Sequence, residues 1–197
     1  MKQLMIFASL VLVLSALFCL LPAKSDMNIY NDVVRIHVIA NSNSSADQAV
    51  KMAVRDAVLS RVSALMGDAS SAADAERIIA ENITPIRAVV DDTLVSLGKE
   101  KSATVALSKE YYPTRTYDGF SLPCGEYTSL RVMIGDAEGQ NFWCVLYPSV
   151  CTSGAKAGAI FRQTGFSTEQ IKILTDNEKP VYKLKFKLIE ILGGQKR

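Results

Sequence analysis

Histidine and tryptophan are the scarcest informative residues in this 197-residue chain: one of each, His37 and Trp143, beside four cysteines. A single histidine removes the hydrolytic metal sites that need several imidazole ligands, and no His-Glu-x-x-His segment is present. No Gly-x-Ser-x-Gly elbow supports a serine hydrolase. Without a Cys-x-x-Cys pair, a zinc site of three cysteines and His37 has little behind it. Excess charge is missing too. All 20 acidic residues follow position 25, while two of the 22 basic ones, Lys2 and Lys24, precede it, so the remainder is neutral. A neutral domain lacks the electrostatic footprint of a nucleic-acid binder and the polybasic excess that anionic lipid attracts. Internal repeats and low-complexity linkers are absent as well.

What is present begins with an address. Lys2 precedes a run without charge from Leu4 to Leu21, followed by Pro22, Ala23, Lys24 and Ser25. These are the parts of a secretory leader, and the run also approaches the roughly 20 residues that span a bilayer. Residues 1–25 therefore read as a cleaved leader or a retained N-terminal anchor, and 26–197 as one extracytoplasmic domain. About 170 residues suffice for a single core.

Hydrophobic period divides that domain in two. From Val33 to Ala40 the chain alternates as a strand, with Val34, Ile36 and Val38 on one face and Arg35, His37 and Ile39 on the other. Ser45 and Gln48 suggest a capping box for a helix whose stripe runs through Val50, Val54, Val58 and Val62 to a stop at Gly67. A second helical region starts near Ser71. Pro85 kinks it or, with Thr84 as cap, starts a third helix, and Gly98 closes it. Beyond this, Ala103–Leu107 and Tyr127–Ile134 alternate as strands, and 142–147 is apolar on both faces, as a central strand would be. Segments 155–164 and 168–174 suit helices or loops. Tyr182, Leu184, Phe186 and Leu188 alternate with Lys183, Lys185 and Lys187 as an amphipathic strand with a solvated lysine face. The expected fold is α+β: one domain with a mostly antiparallel sheet and two or three helices from the N-terminal half on one face.

Three groups of residues invite a functional reading. Arg35, His37 and Asn41 share one side of the first strand ahead of a helix N-terminus, a place suited to an anion or a partner's carboxylate; the structural alternative is that they satisfy loop carbonyls. Thr114, Arg115 and Tyr117 lie in a polar extended segment after Pro113 that could act similarly, and Glu126 and Arg131 follow nearby. Trp143 reads as core. Cys144 and Cys151 would close a short loop as a disulfide outside the cytoplasm, or stay as two buried thiols, with Cys124 left over. His37 beside one of these cysteines is the only candidate dyad for a secreted cysteine hydrolase. Glu110, Asp118 and Glu126 are scattered carboxylates of the sort any domain carries. No catalytic residue, metal ligand set or cofactor is assigned.

An ordered set of segments resembles the stage II sporulation protein R family. They are Arg35-Ile-His-Val-Ile-Ala-Asn-Ser42, Val54-Arg-Asp-Ala-Val58, Pro113-Thr-Arg-Thr-Tyr117, Gly125-Glu-Tyr127, Leu130-Arg-Val-Met-Ile-Gly135 and Asn141-Phe-Trp-Cys-Val145, with Pro148 and Cys151 after them. Phe142 stands where the family often has a second tryptophan, and Cys124 where a small residue is usual. The resemblance implies a signal, not an enzyme. Such proteins are exported from the forespore into the space between forespore and mother-cell membranes. There they activate a membrane-embedded aspartic protease of the mother cell, stage II sporulation protein GA, which processes the sigma-E precursor. Its implied partner is that protease, with membrane contact only through an uncleaved N-terminal segment. The competing readings are a secreted hydrolase using a Cys-His pair and a structural bridge between the membranes.

Overall fold

The computed structural model describes residue 7 and residues 29–67, 69–100, 102–150 and 157–175. The segment 1–25 (except residue 7), Cys151 and the lysine-alternating stretch 182–188 lie outside the described residues. Strand β1 (Val34–Ile39) is followed by helices α1 (Ser45–Leu65), α2 (Ala72–Glu81) and α3 (Ile83–Ser96). Strands β2 (Ala103–Tyr112), β3 (Arg115–Tyr117), β4 (Phe120–Leu122), β5 (Gly125–Ile134) and β6 (Asn141–Tyr147) come next, and short helices α4 (Ala157–Gln163) and α5 (Thr168–Thr175) follow. The main sheet has the order β2-β5-β1-β6. Only the β1–β5 pairing is parallel; β2–β5, β1–β6 and the separate β3–β4 hairpin are antiparallel. The α+β expectation holds, with helices from the N-terminal half on one face.

The helix-covered face follows from the alternation in β1. Val34, Ile36 and Val38 meet Leu130, Val132 and Ile134 of β5, Val105 of β2, and Cys144 and Leu146 of β6. Above them lie Val54, Val58 and Val62 of α1, Ala75 and Ile79 of α2, and Ile86, Val90 and Leu94 of α3, all fully buried. Each such aliphatic side chain contributes about 1.5–3 kcal/mol by leaving water.

Three local expectations need correction. Ser44, not Ser45, caps α1: its side chain accepts from the Asp47 amide at 3.1 Å. Asn82, not Thr84, precedes α3, so Pro85 sits within the first turn, where its missing N–H costs no helical bond. Strand β6, read as central, is an edge. It is apolar on both sides because Cys144 and Leu146 face the helices while Val145 faces a second cluster. The interior strands are β5 and β1, and all six residues of β1 are buried.

That second cluster covers part of the opposite face. Phe120 and Leu122 of the hairpin pack with Phe161 of α4, Phe166, and Ile171 and Leu174 of α5, against Ile29, Val33, Tyr112, Tyr127 and Val145. The rings of Phe120, Phe161 and Phe166 meet in sequence at 5.5 and 5.0 Å between centroids. Coverage stops midway along the sheet, and the candidate site lies where it stops.

Candidate functional site

Register across the sheet sets the site. On the face away from the long helices, Ser129, Arg35 and Val145 form one transverse row, and Arg131, His37 and Trp143 form the next. The first row is covered. Arg35 is 0% exposed, with its guanidinium carbon 3.8 Å from the Tyr112 ring centroid and 5.0 Å from that of Tyr127. Its Nη2 donates to the Tyr117 hydroxyl, whose ring stacks on Phe120 at 4.8 Å. No carboxylate among the described residues forms an ion pair with Arg35, so ring quadrupoles and a phenol oxygen hold the cation. The phenols are anchored in turn: Tyr112 shares a 2.6 Å hydrogen bond with Ser129, and the Tyr127 hydroxyl donates to the Pro123 carbonyl at 2.7 Å. Burial pushes the pKa values of both Tyr112 and Tyr127 far up, which keeps them neutral donors.

The second row is open to solvent at its ends. His37 Nδ1 lies 2.8 Å from Glu110 Oε1 of β2. A carboxylate only accepts, so Nδ1 carries the proton, and Nε2 is left buried without a hydrogen-bond partner. Arg131 Nε approaches the same Glu110 oxygen at 3.6 Å, an ion-pair distance too long for a hydrogen bond. On the other side the His37 ring lies 5.4 Å from that of Trp143. Arg115, projecting from β3, lays its guanidinium 3.8 Å from the centroid of Trp143. A cation, an imidazole, an indole and a second cation thus run across three strands, with Glu110 bracing one end.

The sequence-expected site residues separate accordingly. His37, Arg131 and Arg115 come together in one surface row. Arg35 and Tyr117 lie beside it, in the covered aromatic packing, and Arg35 offers a partner no surface in this conformation. Asn41 is engaged in holding the turn between β5 and β6: its Nδ2 donates to Asp47 and its Oδ1 accepts from the Asp136 amide, each at 2.9 Å. Gly135 follows with a positive φ of 57°, where an added Cβ would meet Asn41 Oδ1 at 2.1 Å. Hydrogen bonds from Asn41 and Ser42, with Lys99 beside them, hold the Asp47 carboxyl down at about 2. Thr114 Oγ1 accepts from the Cys124 amide at 3.2 Å, and Glu126 is exposed at the start of β5.

Sequence reasoning missed Glu110 as a brace and put Trp143 in the core, whereas it is half-buried under Arg115. The strand containing Glu110 runs to Tyr112, five residues past its expected end, and Glu110 reaches His37 across β5, a meeting with no local sign in the sequence. Cys144 points to the helix-covered face, opposite His37, and is disulfide-bonded, so the two cannot form a nucleophile–base pair here. Cys124 is a free, exposed cysteine; Cys151, the expected partner of Cys144, lies outside the described residues. Among the described residues no group of three or more His, Cys, Asp or Glu side chains could hold a metal ion. Nor is any described helix long and apolar enough to cross a membrane.

No solved structure matches the chain. A protein of Bacillus subtilis (strain 168) called Stage II sporulation protein R is 33% identical over 121 residues, covering 61% of this chain and 54% of the relative. The chain thus spans about half the length of that curated relative. The family described as Stage II sporulation protein R matches residues 30–157, a range that runs from Tyr30 beside the tyrosine packing to the start of α4 and includes all six strands. The chain belongs to the Stage II sporulation protein R family.

Proposed function

We propose that this protein is an exported sporulation signal that activates the membrane-embedded aspartic protease stage II sporulation protein GA, so that the protease processes the sigma-E precursor. Family membership over residues 30–157 carries this reading. The site chemistry supports it: the conspicuous polar side chains form a brace and a display row, and the one histidine is turned away from Cys144. A signal of this kind works by binding the active state of its target more tightly than the inactive one, since equal affinity for both shifts nothing. The row Arg115, Trp143, His37, Arg131 is the contact surface in this reading. The proposal extends to export from the forespore into the space between the two membranes, and to a Cys144–Cys151 disulfide formed there.

The deciding experiment co-expresses the full chain with the protease and the sigma-E precursor in a non-sporulating cell. Precursor cleavage should rise well above that of cells lacking the chain. Unchanged cleavage, with the chain shown to be exported and folded, would remove the assignment. Mass spectrometry of the exported product reports in the same sample whether the leader is cleaved and which cysteines are joined.

A further inference from the structure

We propose that the row formed by Arg115, Trp143, His37 and Arg131 recognises a carboxylate presented by a protein partner. Among the described residues eight buried side-chain nitrogen or oxygen atoms lack a hydrogen-bond partner, and two of them, Arg115 Nε and Arg131 Nε, are guanidinium donors of this row. A buried donor costs on the order of 1–3 kcal/mol if nothing ever satisfies it. The two atoms of Arg35 lie in the covered row and His37 Nε2 and Glu110 Oε2 can only accept, so what this row lacks is an acceptor for its two cations, which points to an anionic ligand.

The chemistry of the row selects the ligand. His37 is 6% exposed and its unpartnered Nε2 can only accept, so contacts to a carboxylate fall to the two arginines. Two guanidiniums stand against one carboxylate, so Arg115, Arg131 and Glu110 together leave one positive charge in a domain whose total is zero. Neither arginine is spent on a close carboxylate pair: Arg131 only approaches Glu110, at 3.6 Å, and Arg115 rests on an indole. Stacking on Trp143 fixes the plane of the Arg115 fork, and a fixed planar fork matches the two oxygens of a carboxylate. The Arg131 side chain is 33% exposed, and its Nη2 lies 3.5 Å from the Met133 sulfur, a weak acceptor that a carboxylate would outcompete. Beside the row, the next one along the sheet is Met133, Ile39 and Asn141, an apolar step on which the residue neighbouring the carboxylate can rest. A nucleic acid or an anionic membrane would need a broad basic field, which this domain does not have.

This inference relies on the signalling reading only for the partner being a protein, so its test does not depend on the protease. A displayed library of random short peptides is selected on the folded full chain, and the recovered peptides are synthesised with each Asp or Glu and with its amide counterpart. Binders should be enriched in acidic residues, and a single Glu→Gln change in the peptide should weaken binding at least about tenfold, as loss of a charge-assisted fork would. Arg115→Gln and Arg131→Gln should each weaken the same peptides while melting near the wild type, and Arg115→Lys should restore only part of the affinity. Recovery of binders without carboxylates, of acidic binders indifferent to both arginine changes, or of none at all would overturn the proposal. The Glu→Gln comparison uses the unaltered protein, so it stands even where an arginine variant folds poorly. If peptides behave as expected but co-expression fails to raise cleavage, the carboxylate site stands and the choice of protease falls. If cleavage rises and no acidic peptide binds, the reverse holds.

Discussion

The two faces of the main sheet are built from the same strands by opposite means. On one, Val34, Ile36, Val38, Leu130 and Val132 meet three helices in an apolar layer that needs no geometry beyond close packing. On the other, the intervening residues of the same strands are Arg35, His37, Ser129 and Arg131, held by rings, hydroxyls and one carboxylate at particular distances. The apolar face can tolerate volume-conserving exchange, because any well-shaped hydrocarbon contributes. The polar face cannot, because removing one group leaves its partner buried and unsatisfied. A fold that needed only stability would have no use for the second arrangement. Its presence beside a half-open surface is the observation on which the proposed carboxylate site rests.

Neighbouring residues on β5 give the sharpest way to break this contrast, because Leu130 faces the helices and Arg131 the open row. Leu130→Ala should cost about 3 kcal/mol in urea unfolding through the cavity it leaves, whereas Arg131→Ala should cost less than about 1 kcal/mol. Equal losses would mean that the two faces share the work of stability. Arg35→Met should lie between them, at about 2 kcal/mol, through lost stacking on Tyr112 and a stranded Tyr117 hydroxyl. A variant as stable as the wild type would show that the tyrosine packing needs only bulk at its centre.

The smallest effect lies at the turn that Asn41 holds. Asp47 has its folded pKa depressed from 3.8 to about 2, so what it contributes is present above the ordinary carboxylate value and is lost as pH falls through the folded one. Asp47→Asn should therefore lower the melting temperature at neutral pH, and the gap from the wild type should close between about pH 4 and pH 2. A gap that persists at pH 2 would assign the effect to hydrogen-bond geometry instead of charge.

Much of the apolar face was legible in advance. The alternation in β1 separated Val34, Ile36 and Val38 from Arg35 and His37, and the stripes of the helices named the residues that cover them. Period reports which way a side chain points, and that is enough where the partner is any hydrocarbon. It does not report what a side chain meets. That Arg131 stands beside His37 depends on the parallel pairing of β1 with β5, and that Trp143 stands on its other side depends on β6 adding antiparallel. Neither pairing has a local sign. Arg35 and Asn41 read from the sequence as candidates for contact with an anion or a partner. Their engagement with Tyr112 and Asp136, far along the chain, could come only from the assembled fold.

The sheet order has a consequence for when this protein can exist as a folded object. The strand made first, β1, lies between β5 and β6, the last two strands of the sheet, so no edge is waiting for it. Until Ile134 has emerged, whether from a ribosome or from a membrane pore, the six buried residues of β1 have neither neighbour, and until Tyr147 follows they still lack one. Helices α1 to α3 can form early, yet their apolar stripes have no sheet to rest on. Assembly is thus held back to a late step governed by long-range closure, which favours slow, all-at-once folding over stepwise growth. A chain halted before β6 would have β2, β5 and β1 but lack an edge strand. Both rows of the second face would then be cut short, without Val145 in one and without Trp143, the platform for Arg115, in the other.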